Sequence, residues 1–208
     1  MIHPHTELRF ISDEMGYGVF AKKFLPKGTI TWVQDIFDRE FSDEEIRKMD
    51  PVHRELAETY CFRNSKGYHV LCWDNGRFVN HSFRSNCFTT PYNFEIAVRD
   101  IQAGEELTDD YGYLNISSPF KAMDEGTSRK MVYPDDILTF HKEWDAQLIE
   151  TMPCVPKVQQ DMKNLISDEL WQQIEAIAAG QKQMDSILVC HFPGAVTTAN
   201  GHRAKQRH

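Results

Sequence analysis

The feature that most constrains the fold is a set of four short motifs that follow one another within the first 112 residues. Neither of the last two motifs is a common enzyme signature by itself. It is the order and spacing of all four motifs that constrain the fold. The motifs are Gly16-Tyr17-Gly18-Val19-Phe20-Ala21, Pro26-Lys27-Gly28-Thr29, Arg77-Phe78-Val79-Asn80-His81-Ser82 and Gly104-Glu105-Glu106-Leu107-Thr108-Asp109-Asp110-Tyr111-Gly112.

The first motif fits the dinucleotide-binding pattern G-x-G-x-x-A, and Asp35 or Asp38 lies about twenty residues on, where that pattern requires an acid. In that pattern the glycines must open a helix whose N-terminus faces a pyrophosphate. Here Pro26 and Gly28 interrupt the chain within ten residues of Gly18, and the residues between favour a strand. A Rossmann-type nucleotide enzyme is therefore the third alternative, which a strand after Gly18 would exclude.

In their order and spacing the four motifs resemble the SET domain of protein lysine methyltransferases, over about the first 115 residues. The resemblance implies a mainly β fold with added helices, in which small β-sheets surround a pseudoknot. The segment that ends at Tyr111 would lie under the loop that carries Asn80 and His81. This threading is an exception to the usual rule for chain connections, and it would bring residues 80 and 111 into one site.

We divide the chain into a SET domain (5–114), a C-terminal loop and helical extension (115–180) and a tail (181–208). Residues 114–133 are predicted to be loop. Strands are predicted at 7–11, 17–22, 29–33, 60–63, 68–73 and 95–101. Helices are predicted to begin at Asp43 behind a capping box, near His53, at Pro134 and at Ser167.

The resemblance also implies the site and the reaction. The enzyme would transfer a methyl group from S-adenosylmethionine to a lysine side chain of a protein, with Tyr111 as the catalytic residue. An aromatic ring from the extension would stack on the adenine. The residues expected at the cofactor are Gly16, Tyr17, Gly18, Asn80, His81, Tyr111 and Phe120.

Lysine has a pKa of about 10.4 in water, so the channel that receives it must disfavour the ammonium form. An apolar aromatic wall and the adjacent sulfonium charge would both do so. We expect solvent to take the proton, so that no dedicated base is needed, and Tyr111 to orient the amine.

The chain departs from the family at its zinc site. Many SET enzymes carry a zinc-ligating Cys in an Asn-His-Ser-Cys-x-Pro-Asn motif, but here Phe83 replaces the Cys and Ser85 replaces the Pro. No Cys-x-Cys follows Tyr111, and the Cys/His stretch from His53 to Cys87 lacks the short spacing of structural zinc sites. We therefore predict no metal.

A second departure is Asp109, because the family commonly has Phe or Tyr two residues before the central tyrosine. A carboxylate beside the target amine would favour the unreactive ammonium. We therefore expect Asp109 to face solvent or accept backbone hydrogen bonds, with Tyr60, Tyr68 or Tyr113 forming the channel wall. The alternative function is a catalytically weak or inactive SET-fold module that binds a protein partner.

Charge and cysteine content narrow the partners and the location. The net charge of −8 argues against binding a nucleic-acid backbone and suits a Lys-containing protein substrate, such as a basic tail. Five irregularly placed cysteines indicate a reducing compartment, so we expect an intracellular protein, cytoplasmic or nuclear. No secretory signal and no membrane span are expected, and the oligomeric state stays open.

Overall fold

Short strands form four small sheets in the structure, a computed structural model that describes residues 1–194. The strands are β1 (Thr6–Ser12), β2 (Gly16–Ala21), β3 (Ile30–Val33), β4 (Arg39–Phe41), β5 (Cys61–Arg63), β6 (His69–Leu71), β7 (Asn80–His81), β8 (Cys87–Thr89), β9 (Phe94–Ala97), β10 (Glu106–Asp109), β11 (Phe120–Lys121) and β12 (Met131–Val132). Their orders are β1-β2-β10-β7, β3-β9-β8, β4-β6-β5 and β11-β12. The predicted fold of small sheets with added helices is confirmed.

The α-helices lie where the sequence predicts them. They are α1 (Asp43–Lys48), α2 (Pro51–Tyr60), α3 (Asp136–Thr151) and α4 (Asp168–Ala178). Helix α1 begins at the predicted capping box: Glu45 N donates to Ser42 Oγ at 3.2 Å, and Ser42 N donates to Glu45 Oε2 at 2.8 Å. No helix within residues 1–194 is long and apolar enough to cross a membrane.

Strand β10 determines where the third and fourth motifs meet. It lies between β2 and β7, antiparallel to the first and parallel to the second. The parallel register places Thr108 opposite Asn80 and Asp109 opposite His81. Residues about thirty positions apart along the chain therefore become neighbours, just before Tyr111. Because Gly16–Ala21 is a strand, the Rossmann interpretation is excluded.

The extension completes the largest hydrophobic core. Ile30 and Phe94 of the sheets are fully buried in one cluster with Ile137 and Leu148 of α3 and Ile174 of α4. Apolar burial of this kind is the main stabilising contribution to a fold. The helices of residues 115–180 are thus packing elements of the β-rich part.

Two segments differ from the expected loop and tail. Within the predicted loop, β11 and β12 pair as a hairpin; strands of two residues are too short for any periodicity to predict. Within the predicted tail, Met184 and Ile187 are buried in the core, and a short helix spans Ile187–Cys190. The rest of the predicted tail, residues 195–208, lies outside the described residues.

Candidate active site

Gly16 and Gly18 serve different purposes at the start of β2. Gly16 has a φ of +73°, which residues with a Cβ rarely adopt, and no atom lies within 4 Å of the position a Cβ would take. At Gly18 a Cβ would lie 2.4 Å from Glu106 Oε1 and 3.0 Å from Asn80 Nδ2. Gly16 therefore borders open space, whereas Gly18 allows the first motif to pack closely on the third and fourth.

The side chain of Asn80 is held in one orientation by two acceptors. Its Nδ2 donates to the carbonyl oxygen of Tyr17 at 3.0 Å and to Glu106 Oε1 at 2.7 Å. An amide nitrogen has two hydrogens to donate, so both are used. The oxygen Oδ1 is left as the group that can accept a hydrogen bond from a ligand.

His81 is a buried, neutral imidazole among aromatic rings. Tyr111 N donates to its Nδ1 at 3.1 Å, so the ring proton lies on Nε2, which has no hydrogen-bond partner within the described residues. The ring centroids of Phe83, Tyr111 and Phe120 lie 4.6, 5.5 and 5.6 Å from that of His81. Burial, reinforced by the positive charge of Arg129, lowers the pKa of His81 to about 4.

This lowered pKa predicts how stability depends on pH. Between pH 6.5 and about 4 the unfolded chain binds a proton that folded His81 does not, so its contribution is complete above 6.5 and is lost as the pH falls. The pKa difference corresponds to about 3 kcal/mol. His81→Asn, which keeps an acceptor for Tyr111 N, should therefore lose about 3 kcal/mol less than wild type between neutral pH and pH 4. Urea unfolding at a series of pH values measures this, and parallel stability curves would contradict it.

The hydroxyl of Tyr111 is fixed by the backbone of the third motif. It donates to the carbonyl oxygen of Val79 at 2.7 Å. Burial, together with the negative charges of Asp109 and Glu106, raises the pKa of Tyr111, so the phenol stays protonated. Since its proton is committed to Val79, the phenol oxygen can still accept a hydrogen bond from an amine.

Tyr111 lies between two cavities. The smaller one, of about 320 Å³, has walls that include Gly16, Tyr17, Asn80 and Tyr111. The larger one, of about 390 Å³, has walls that include Glu95, Asp109, Tyr111 and Phe120. Thr59, Tyr60 and Arg77 also line both. Groups bound in the two cavities would therefore meet at Tyr111.

The other aromatic residues that the sequence assigned to the cofactor or to the channel wall do not all line a cavity. Phe120 lines the larger cavity, with its ring centroid 6.1 Å from that of Tyr111. Tyr60 lines both cavities, and the fully buried Tyr113 lines the larger one. Tyr68 is 40% exposed and lines neither, so of the three suggested wall residues it is the one that the structure does not place there.

Asp109 does not face solvent, and that expectation is wrong. It is 3% exposed, and its side chain accepts a hydrogen bond from the hydroxyl of Tyr113 instead of bonding to backbone N–H groups. Burial and the nearby charge of Glu95 raise the pKa of Asp109. Parallel pairing of β10 with β7 places Asp109 beside His81, which explains its burial.

An arginine cluster, which the sequence did not reveal, ties the extension to the site. Arg129 forms an ion pair with Asp110 and another, of 2.6 Å, with Asp136. Its guanidinium carbon lies 4.6 Å from the ring centroid of Phe83 and 4.4 Å from that of Phe140, within the range of cation–π attraction. The feature of the sequence that could have indicated this cluster is Phe83, which stands where the family has a metal ligand.

No group of three or more His, Cys, Asp or Glu side chains within residues 1–194 is arranged to hold a metal ion. All five cysteines are free. Phe83 stands where the family has a Cys. There the Arg129 cluster connects the third motif to the chain that follows it.

Comparison with known proteins shows what these features resemble. The family model of the SET domain matches residues 16–112. This part of the chain is similar to the SET domain. The match runs from Gly16 in the first motif to Gly112 in the fourth, and it includes Asn80 and Tyr111.

Several curated relatives match the same region at modest identity. N-lysine methyltransferase KMT5A-A of Danio rerio is 34% identical over 131 residues, which are 53% of this chain and 36% of that protein. Histone-lysine N-methyltransferase ASHH2 of Arabidopsis thaliana is 31% identical over 121 residues, 52% of this chain and 7% of that protein. The chain thus spans about a third or less of these relatives.

Among solved structures, a Plasmodium falciparum protein described as a candidate histone methyltransferase aligns with 53% of this chain and 95% of its own, at 22% identity and a TM-score of 0.40. That score is too low to compare the two backbones in detail.

Proposed function

We propose that this protein is a protein-lysine N-methyltransferase of the SET-domain family that uses S-adenosylmethionine. The observation that carries the proposal is the position of Tyr111 between two cavities, one bordered by the glycine motif and Asn80 and the other by acids and aromatic rings. Two reactants that enter from opposite sides would meet beside its hydroxyl.

The smaller cavity has the features that S-adenosylmethionine requires. Its volume of about 320 Å³ is in the range of small-molecule sites, and Gly16 leaves its side of the cavity open. The free Oδ1 of Asn80 can accept a hydrogen bond from the methionine ammonium. Tyr17 borders this cavity, and Gly18 and His81, which line neither cavity, are assigned to the same ligand. Phe120, which the sequence assigned to the adenine, lines the larger cavity instead. When bound, the ligand supplies a methyl group activated by a sulfonium.

The residues around Tyr111 supply orientation more than acid–base chemistry. The phenol oxygen accepts a hydrogen bond from the lysine amine and aims the nitrogen lone pair across the gap between the cavities. Phe120 and Tyr60 reduce the contact of the amine with water, which disfavours its charged form. Holding two reactants in line can account for about 7–11 kcal/mol of a reaction barrier.

The substrate is proposed to be a Lys-containing protein segment that is basic. The names of the relatives describe a lysine methyltransferase and a histone-lysine methyltransferase. The net charge of −8 favours encounter with a cationic partner. Free cysteines suit the intracellular, cytoplasmic or nuclear setting in which such substrates lie.

Labelled methyl transfer tests the proposal. The protein is incubated with methyl-labelled S-adenosylmethionine and a panel of histones and other Lys-rich proteins, and the label is located by mass spectrometry. Label on lysine is expected. Cofactor binding without transfer to any protein would instead support the second candidate, a SET-fold binding module, which the buried carboxyl of Asp109 in the larger cavity favours.

Asn80→Ala should weaken cofactor binding by about 1–3 kcal/mol, the usual effect of removing a hydrogen-bonding partner from a buried polar group. The change deletes Oδ1 and also leaves Glu106 Oε1 without its 2.7 Å donor. Calorimetric titration with S-adenosylmethionine measures the loss. Asn164→Ala, on the exposed surface away from both cavities, is the matched control and should bind like wild type. Equal affinities in all three proteins would count against the assignment.

A further inference from the structure

The last described segment of the chain is attached to the wall of the larger cavity. The backbone N–H of Phe192 donates to Asn115 Oδ1 at 2.8 Å. Asn115 Nδ2 donates in turn to the carbonyl oxygens of Cys190 at 2.8 Å and of Arg63 at 3.0 Å. Asn115 is 3% exposed, and it lines the larger cavity together with Cys190, Arg63 and Tyr111. The chain is therefore held beside the cavity in which we place the substrate lysine.

The ring of Phe192 strengthens this attachment. The guanidinium carbon of Arg63 lies 5.1 Å from its centroid, within the range of cation–π attraction. The ring also covers Gly67 in the turn between β5 and β6, where a Cβ would come within 2.6 Å of it. Pro193 and Gly194, which follow, are exposed. The chain thus reaches the surface immediately after Phe192, next to the cavity.

Residues 195–208, which lie outside the described residues, differ in charge from the rest of the chain. They contain three of its 23 lysines and arginines, namely Arg203, Lys205 and Arg207, and none of its 31 acids. The part before them is therefore more acidic than the net charge of −8 indicates. Opposite charges favour encounter between the two parts. Lys205 is the only lysine of these residues, and it lies between two arginines.

The length of this segment allows Lys205 to reach Tyr111. Eleven residues lead from Gly194 to Lys205, and an extended chain of that length spans up to about 36–40 Å. This span exceeds the width of a single cavity that both Cys190 and Tyr111 line. Tethering by a short linker also gives the attached group an effective concentration in the mM range. A lysine on this segment would therefore meet the cavity far more often than a lysine of a separate, dilute protein.

The walls of the cavity do not oppose a basic segment. The acids and arginines among them are Glu58, Glu95, Asp109, Arg63 and Arg77. Arg63 forms an ion pair with Asp43, which lies outside the walls, and Arg77 donates to the carbonyl oxygen of Trp73 at 3.1 Å. With Asp43 counted, the walls carry no excess of positive charge that would repel a lysine.

We propose that Lys205 is a methylation site of this protein, presented to Tyr111 within the larger cavity by residues 201–208 of the same chain. This inference rests on the proposed function, because it requires that the larger cavity receive the substrate lysine. In the step the amine nitrogen of Lys205 forms a bond to the methyl carbon, the bond between that carbon and sulfur breaks, and the sulfur keeps the electron pair. The proton that the nitrogen gives up goes to solvent.

Labelling of the full chain, with no other protein present, tests the proposal. The chain is incubated with methyl-labelled S-adenosylmethionine over a wide range of protein concentrations, and mass spectrometry locates the label. We expect label on Lys205, at a rate per molecule that does not change with concentration, because a reaction within one chain is intramolecular. A rate per molecule that rises in proportion to concentration would show transfer between molecules and would overturn presentation by the same chain.

Two variants and a peptide serve as controls. Lys205→Arg keeps the positive charge and should remove the label. Lys182→Arg changes an exposed lysine that lines neither cavity, and it should be labelled at Lys205 like wild type. A synthetic peptide of residues 195–208, added at about 10 μM to Lys205→Arg, should be labelled about 10²-fold more slowly than the tethered segment, because its concentration is that far below the mM range. Equal rates would mean that attachment beside the cavity contributes nothing.

A carbodiimide cross-linker supplies a readout that needs no turnover. It joins an amine directly to a carboxyl, so within one molecule it should link Lys205 to Glu58 or Glu95 of the cavity wall. Mass spectrometry of the monomeric product locates the link, which Lys205→Arg should lack. Links from Lys205 only to carboxyls outside the cavity, such as those of Asp168 and Glu169, would contradict docking in the cavity.

The possible failures are distinguishable. If the protein methylates the panel of Lys-rich proteins but leaves Lys205 unlabelled, the inference is overturned and the proposed function stands. If no protein is labelled, including this one, while Lys205 is cross-linked to the cavity wall, the proposed function fails and docking of the segment is supported. If neither label nor cross-link is found, both are overturned.

Discussion

Tyr111→Phe should slow methyl transfer by about 10²-fold, the effect of a small displacement of a reacting group, while the fold and the cofactor affinity stay close to wild type. The ring, which supplies the packing against His81 and Phe120, is retained. The lost hydroxyl is the group that bonds Val79 and would orient the amine. Single-turnover rates with labelled S-adenosylmethionine, together with calorimetric affinities, separate the two effects.

Tyr68→Phe is the control for this experiment. Its side chain is 40% exposed and lines neither cavity, so the rate should not change. If Tyr111→Phe turns over like Tyr68→Phe, then Tyr111 is structural, and the arrangement of reactants on its two sides is incorrect.

Arg129→Met should lower the free energy of unfolding by about 3–5 kcal/mol, because it leaves the buried carboxylates of Asp110 and Asp136 without their shared cation. For a protein of this size the melting temperature should fall by roughly 10 °C. Lys130→Met is the matched control. It removes the neighbouring exposed ion pair with Asp124, which is expected to contribute less than about 1 kcal/mol.

A combined variant tests the physical reason for this effect. Arg129→Met together with Asp110→Asn and Asp136→Asn removes the unpaired charges as well as the cation, so it should recover much of the lost stability. Chemical denaturation, monitored by circular dichroism, gives the free energy of unfolding of Arg129→Met, Lys130→Met and the combined variant. Equal losses in Arg129→Met and Lys130→Met would show that the arginine is no more than a surface charge.

Local patterns in the sequence predicted much of the fold. The capping box at Ser42 depends on residues three positions apart, so it could be recognised without tertiary information. The meeting of Asn80 and Tyr111 was accessible only through resemblance to a family, because no periodicity links residues about thirty positions apart. The structure brings them together through the pairing of β7 with β10.

Neither the Arg129 cluster nor the meeting of Asp109 with Glu95 in one cavity could be predicted, because tertiary contacts create both. Arg129, between β11 and β12, pairs with Asp110 of the fourth motif, and nothing in their spacing indicates it. Glu95 alternates with buried Phe94 and Ile96, so a half-buried strand would place it in solvent. It lines the larger cavity instead, together with Asp109 from another strand, and accepts a hydrogen bond from Thr89 Oγ1 at 3.2 Å.

The shared core determines what can fold independently. Residues 16–112 match the SET family, yet Ile30 and Phe94 lie in one hydrophobic cluster with side chains of α3 and α4. In addition, Gln160 Oε1 accepts a hydrogen bond from the backbone N–H of Ile30 at 2.9 Å. A fragment that stopped at Leu114 would expose this apolar surface to water. We therefore expect the candidate site and the helices after it to fold as one unit, and a deletion that removes α3 or α4 should abolish the site without touching any of its residues.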